Sequence, residues 1–350
     1  MQVARTKEGR LKVSSIPSYK NAARALKERL GEKKLRELTA LQCQTAIDEL
    51  KSRRGPRAGQ PISWQQRQVH KMVLKNSISL AMRLGLVNTN VADAVRAESG
   101  SRKDPIVVSL DEVSKLVAYA RTRHPLMEGV IIADVITGCR RGELLAIRWR
   151  DVNWKQQTIH IKQALTQVVP EYEEECAICA RIHPQIIFGT PKTKPSLRTL
   201  PLVPELERVF EENRKRQLED KDRLGSYYID HDLIFAMPNG DPVIPSAISA
   251  RVVRYMNAVG IRERGGRSPS MRTLRASSAT ALLDLGMPMD MVASVMGHTS
   301  QEITKRAYID PAVLRATVAE AARGAVESIA LAVADGRKSS DQGSDHNVGG

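Results

Sequence analysis

VIIADVITGCRRGELL, Val130 to Leu145, is the stretch on which the reading of this chain turns. Its first half, Val130–Ile136, is an apolar run that reads as a buried helix. Gly138 breaks that helix. Arg140 then stands at a helix junction, where a guanidinium can be held rigidly toward a phosphate. Alone, an arginine in such a turn equally makes a structural ion pair with Glu143.

Working outward toward the N-terminus, Ser109 and Glu112 have capping-box form and open the segment that contains this stretch. Before it lies a polar linker, residues 98–105 (ESGSRKDP). Residues 17–97 read as a small helical bundle with no strand signal. Apolar residues recur at Tyr19, Ala22, Ala23, Leu26 and Leu30, and Gly31 closes that helix. Thr39 with Gln42 caps a second helix that offers Leu41, Ile47 and Leu50 to a core. Ser63 with Gln66 caps a longer third, which runs through Val69, Met72, Val73, Leu80 and Leu84 and stops at Gly85. The exposed positions are heavily basic, among them Lys27, Arg29, Arg53, Arg67, Lys71 and Lys75. Residues 1–16 read as a basic lead-in.

Toward the C-terminus, Thr158–Ile161 alternates as a half-buried strand does, and Arg198–Leu202 is its expected partner. Pro170–Gly189 reads as an acidic insert carrying Cys176, Cys179 and His183. Leu233–Phe235 is short and apolar, with a turn signal at Asn239-Gly240. Helical patterns dominate from Ser246 to Ala334, and residues 336–350 form a polar, glycine-rich tail. The expected fold class is therefore mainly α with a small β-hairpin or sheet: a helical domain at 17–97 and a mixed α/β, mostly helical, domain at 106–335.

A chain of 350 residues has room for two such domains. Aromatics make up only 4%, so the cores rest on Leu, Ile, Val, Ala and Met. No stretch offers the run of about 20 uncharged apolar residues that a membrane span needs, and Met1–Lys12 lacks the apolar centre of a secretion signal. A cytoplasmic location is the default, and no membrane partner is expected. Four cysteines in a chain this long do not make a disulfide framework. The net charge of +15, with a pI near 9.8, favours a polyanion as partner, since each neutralised phosphate releases counterions.

Three further positions carry chemistry: Arg272-Thr273-Leu274-Arg275, Gly297-His298, and Tyr308, ten residues after His298. Singly, each has a bland reading as a cap, a core residue or packing. Together, in this order and spacing, they resemble the tyrosine recombinase (phage integrase) family. That family's first box, T-G-x-R-x-G-E, matches Thr137–Glu143. Its second, H-x-L-R, followed by G-H and then by a tyrosine, matches Leu274-Arg275, Gly297-His298 and Tyr308. Leu84–Val95 looks like the end of the family's core-binding domain, and Thr190–Leu202 (TPKTKPSLRTLPL) like the hairpin that carries its lysine.

The resemblance implies a helical, SAM-like core-binding domain and a catalytic domain of the DNA breaking-rejoining fold. It implies a site-specific recombinase or integrase that integrates or excises a mobile element, a prophage among the candidates. Tyr308 would be the nucleophile and form a 3′-phosphotyrosine, which conserves bond energy, so religation needs no ATP. Arg140 and Arg275 would stabilise charge on the phosphate without a metal. His298 would hydrogen-bond that phosphate. Lys192, with Lys194 as the second choice, would protonate the leaving 5′-oxygen. Double-stranded attachment sites, a homo-tetramer on synapsed DNA and an accessory DNA-bending or directionality factor are the implied partners. The protein would work at the nucleoid of a bacterial host.

Two departures from the family pattern stand out. Arg272 occupies the place where the family usually has histidine; arginine is a poor general base, and its expected part is to bind phosphate or depress the tyrosine's pKa. Only about 16 residues precede the first helix, where many phage integrases carry an arm-binding domain. A simpler subgroup and a shortened chain both fit. No cofactor motif is present: the chain lacks H-E-x-x-H, a P-loop and acidic residues spaced for two magnesium ions. Cys176-x-x-Cys179 with His183 is half of a zinc pattern at most, and reduced surface cysteines are the expected reading. The rival functions are a topoisomerase-like nicking-closing enzyme and a DNA-binding protein that keeps the fold without catalysis.

Overall fold

Helix caps and glycine stops set the outline of the computed structural model, which describes residues 15–53, 58–97, 106–168, 185–191, 196–264, 268–297, 323–324 and 326–334. The chain divides into two compact units, Met1–Arg102 and Lys103–Gly350.

In the first unit, α1 (Ile16–Leu30) carries Pro17 in its opening turn, where a missing N–H costs nothing. Gly31 caps it in an ordinary right-handed conformation, φ −64°, so this glycine is not there for left-handed backbone. α2 (Ala40–Asp48) and α3 (Trp64–Arg83) both begin with the expected reciprocal capping boxes, Thr39 with Gln42 and Ser63 with Gln66. Gly85, at φ +70°, follows the end of α3. Ala22, Leu26, Cys43, Ile47, Val73, Leu74, Ile78, Ala92 and Val95 form one core. Leu41 does not join it and is 75% exposed. It lies two residues from Cys43, hence on the opposite side of α2 from the Cys43–Ile47 stripe.

The second unit is built around α5 (Pro125–Thr137), which is buried from Met127 to Thr137. It is flanked by α4 (Leu110–Arg121, capped by Ser109 and Glu112), α7 (Pro204–Leu224) and α9 (Met271–Asp284). Burial on all sides explains why the Val130–Ile136 run lacks a polar face. After α5 come the short α6 (Arg141–Leu144) and a three-stranded antiparallel sheet of β1 (Val152–Asn153), β2 (Thr158–Ile161) and β5 (Arg198–Pro201). Its register sets Ile159 opposite Leu200 and Ile161 opposite Arg198. α8 (Pro245–Ala258) and α10 (Met289–Met296) complete the unit with a helical stretch over 326–334.

Three elements are not legible in the sequence. β3 (Ala164–Val168) and β4 (Gln185–Gly189) pair antiparallel, so the end of the acidic insert is a strand rather than part of one irregular block. Ile186 and Phe188 alternate toward the core while their neighbours are exposed. α7 is so rich in charge that its apolar stripe is only Leu206, Val209 and Phe210. Phe210 anchors it edge-on to Trp149 and Phe235, with ring centroids 6.4 and 6.2 Å away. Leu233–Phe235, expected as a short apolar segment, is buried; Ile234 donates to the Ile147 carbonyl at 3.0 Å.

Candidate active site

The site is assembled where α5 stops. Gly138 adopts a left-handed conformation, φ +54°, and its N–H donates to the Asp134 carbonyl at 2.9 Å. A Cβ there would stand 2.4 Å from Met296 Cε, so α10 packs directly on this turn. The reversal delivers Arg140 as the N-cap of α6, with an extended backbone and a side chain 32% exposed.

Glu143, one turn on, points back. Its carboxylate accepts from the Arg140 backbone N–H at 3.2 Å and from Arg140 Nη1 at 2.8 Å. Its other close partner was not singled out in the sequence: Arg198, at the start of β5, whose Nη1 lies 2.9 Å from Glu143 Oε2. Burial would push the Glu143 carboxyl up; the Arg198 charge, with hydrogen bonds from Arg140 and Arg198, outweighs it and holds the group below the ordinary carboxylate range. Ser196, fully buried, accepts from Arg140 Nη1 at 2.7 Å and ties the β5 approach to the same guanidinium.

Arg275, the fifth residue of α9, reaches the carbonyls of Gly138 and Met296. Burial, and then the charges of Arg140 and Arg198, bring its guanidinium down to about 10, so it stays protonated at neutral pH. The end of α10 gathers all three arginines: Arg198 Nε donates to Val295 O at 2.6 Å, Arg275 to Met296 O, and Arg140 Nη2 to Gly297 O at 2.8 Å. Unpaired carbonyls at a helix C-terminus carry partial negative charge, and guanidinium donors satisfy them. Repulsion among the arginines is thus offset by one buried carboxylate and three peptide dipoles.

Arg272 lies at the second position of α9 and is exposed. Its charge reaches Arg141, which donates to Ser249 Oγ at 2.6 Å; burial first, and Arg272 second, lower the Arg141 pKa. Behind Arg275, Asp134 is 1% exposed, and burial raises its carboxyl well above the ordinary range, with Arg275 opposing. Asp134 Oδ2 and Ser278 Oγ lack hydrogen-bond partners among the described residues.

Of the residues expected from sequence, the structure brings together Arg140 and Arg275 and sets Arg272 at the start of the Arg275 helix. Lys192, Lys194, His298 and Tyr308 lie outside the described residues, as do Cys176, Cys179 and His183. Gly297, which caps α10 at φ +64°, directly precedes His298. Among the described residues no cluster of His, Cys, Asp or Glu is fit to hold a metal, and no helix is long and apolar enough to cross a membrane. The strand pattern alone does not mark Arg198 as part of the site. The signal was there: in alternation with Thr199 it takes an inward place, where an arginine is rare unless paired.

Residues 106–315 match the phage integrase family. The chain belongs to it. Among curated relatives, a XerC-like tyrosine recombinase of Caldanaerobacter subterraneus subsp. tengcongensis is 28% identical over 201 residues, covering 57% of this chain and 49% of that protein. An integrase of Streptomyces ambofaciens is 24% identical over 289 residues, 80% of this chain and 66% of that one. The chain thus spans from about half to just under two thirds of the length of these two relatives. The fold resembles the Tn1549 transposon integrase in complex with a circular intermediate DNA (TM-score 0.65, 17% identity, 90% of this chain and 97% of the other). It also resembles a lambda integrase tetramer bound to a Holliday junction (TM-score 0.58, 17% identity, 87% and 74%). The mainly helical fold with small antiparallel sheets is that of these phage integrase relatives.

Proposed function

We propose that this chain is a tyrosine site-specific recombinase that cleaves and rejoins DNA through a 3′-phosphotyrosyl link, integrating or excising a mobile element. The observation that carries the reading is the convergence of Arg140 and Arg275 on adjacent carbonyls at the end of α10, one residue before His298. Charge that grows on non-bridging phosphate oxygens during attack needs fixed donors, and a guanidinium already tied at one edge does not reorganise when the substrate arrives.

In this reading Arg140, Arg275 and His298 hold the scissile phosphate, Tyr308 attacks it, and Lys192 or Lys194 protonates the 5′-oxygen that leaves. Arg272 contributes a cation beside Arg141, at the place where the family pattern has histidine. No cofactor or metal takes part. The substrate is a double-stranded attachment site, the working assembly is a tetramer on two synapsed sites, and a DNA-bending or directionality factor sets direction. The lambda integrase tetramer on a Holliday junction supports the assembly. The basic charge of +15 supports the substrate and a place at the bacterial nucleoid.

The test is covalent trapping. The protein and its Tyr308→Phe variant are expressed in cells holding candidate DNA, lysed in detergent, and the protein-bound DNA is sequenced. Adducts at a focused site with the unaltered protein alone are expected. Scattered adducts would favour a nicking-closing enzyme. Tight DNA binding without adducts from either protein would overturn catalysis.

A further inference from the structure

Arg198 is nearly sealed from solvent, its side chain 5% exposed, so DNA cannot reach it. Yet its guanidinium is more fully engaged than those of the two arginines assigned to the phosphate. Nε donates to Val295 O at 2.6 Å; Nη1 donates to Glu143 Oε2 at 2.9 Å and to Ser196 O at 3.1 Å; Nη2 lies 3.2 Å from Cys139 Sγ. These bonds join segments that come from distant parts of the chain: the turn after α5, the first turn of α6, the approach to β5 and the end of α10.

An arginine at an inward strand position is expensive in desolvation, and a well-packed apolar residue commonly serves stability as well or better. An apolar residue could not, however, divide the carboxylate of Glu143. Oε1 takes the Arg140 guanidinium, and Oε2 takes the Arg198 guanidinium together with the Arg140 backbone N–H, so one side of the carboxylate is neutralised by an arginine that never meets substrate. Without Arg198, the whole carboxylate charge would fall on Arg140 and cancel the positive charge that Arg140 offers to a phosphate. The same change would free the Val295 carbonyl and loosen the end of α10, which holds Arg140 and Arg275 through Gly297 and Met296.

We infer that Arg198 is a positioning residue for strand cleavage: it balances Glu143 so that Arg140 keeps its charge for the scissile phosphate, and it locks β5 to the end of α10. The inference rests on the recombinase reading above. It requires Arg198 to act on the rate of the chemical step and not on DNA affinity.

The experiment measures single-turnover cleavage of a saturating, nicked attachment-site substrate, together with DNA affinity and melting temperature. The proteins are the full chain and its Arg198→Met, Arg198→Lys, Glu143→Gln and Arg198→Met/Glu143→Gln variants. Arg198→Met is expected to bind DNA as tightly as the unaltered protein and to cleave about 100-fold more slowly, the scale at which small misplacements are felt. Arg198→Lys keeps the charge but not the fork, and should fall between the two. The double variant is expected to cleave about tenfold faster than Arg198→Met, because the unbalanced carboxylate is gone. Should Arg198→Met fail to fold, Arg198→Lys against the unaltered protein decides the matter. Cleavage by Arg198→Lys at the unaltered rate, or a double variant no faster than Arg198→Met, overturns the inference while leaving the recombinase reading intact. No adduct from the unaltered protein on any attachment-site DNA overturns both.

Discussion

Arg140 and Arg275, from helices far apart in the second unit's sequence, donate to adjacent carbonyls, Gly297 and Met296, at the end of a single helix. Their spacing is therefore set by one peptide repeat and not by contact between them. Both guanidiniums are oriented before any substrate binds.

That arrangement makes Arg275 hard to replace. Lysine keeps the charge but loses the planar fork whose two nitrogens reach the Gly138 and Met296 carbonyls separately. Arg275→Lys is expected to lower the cleavage rate by about 10²–10³-fold, as loss of a preorganised donor does, with DNA affinity nearly unchanged. Adduct formation on a nicked site measures the first quantity and a binding titration the second.

Gly138 is the hinge of the site. At φ +54°, with Met296 Cε 2.4 Å from where a Cβ would stand, Gly138→Ala meets backbone strain as well as a neighbour. The left-handed conformation alone should cost about 1–2 kcal/mol. Chemical denaturation of the second unit would measure it, and an unchanged midpoint would show that the turn relaxes to accept a side chain.

Glu143 and Asp134, the buried carboxyls beside the site arginines, respond to pH with opposite signs. Glu143 is held below the ordinary range, so its contribution to stability is present above about pH 4 and is lost as pH falls through its depressed folded value. Asp134 is raised, so the folded protein binds more protons there, and stability is lost as pH rises from about 4 through its elevated folded value. The melting temperature of Asp134→Asn, relative to the unaltered protein, should therefore become more favourable with rising pH. That of Glu143→Gln should become less favourable across the carboxylate range. Parallel pH curves for all three proteins would contradict both assignments.

Arg272 is exposed, on the first turn of the Arg275 helix, and its charge reaches Arg141. Two cations side by side are relieved by an anion between them. Arg272→Gln is expected to lower the slope of log affinity against log salt by about 1, the signature of one lost phosphate contact. DNA titrations at several salt concentrations give the slope, and an unchanged value would remove Arg272 from the interface.

What the sequence determined alone was whatever depends on neighbours a few residues apart. The capping boxes at Thr39, Ser63 and Ser109, the break at Gly138 and the pairing of Thr158–Ile161 with Arg198–Leu202 all follow from local hydrogen bonding and alternation. The order of Arg140, Arg275, His298 and Tyr308 was legible as a resemblance, and residues 106–315 confirm the family. Tertiary structure alone decided which side chains share charge. Leu41 turned outward, β4 emerged from a polar insert, and Arg198, read as an ordinary strand residue, became the inner partner of Glu143. The first outcome depends on which side of α2 meets the first unit's core, and the other two on which distant surfaces meet around the buried α5. A buried carboxylate takes whatever cations the packing brings within reach, and no pattern along the chain records that distance.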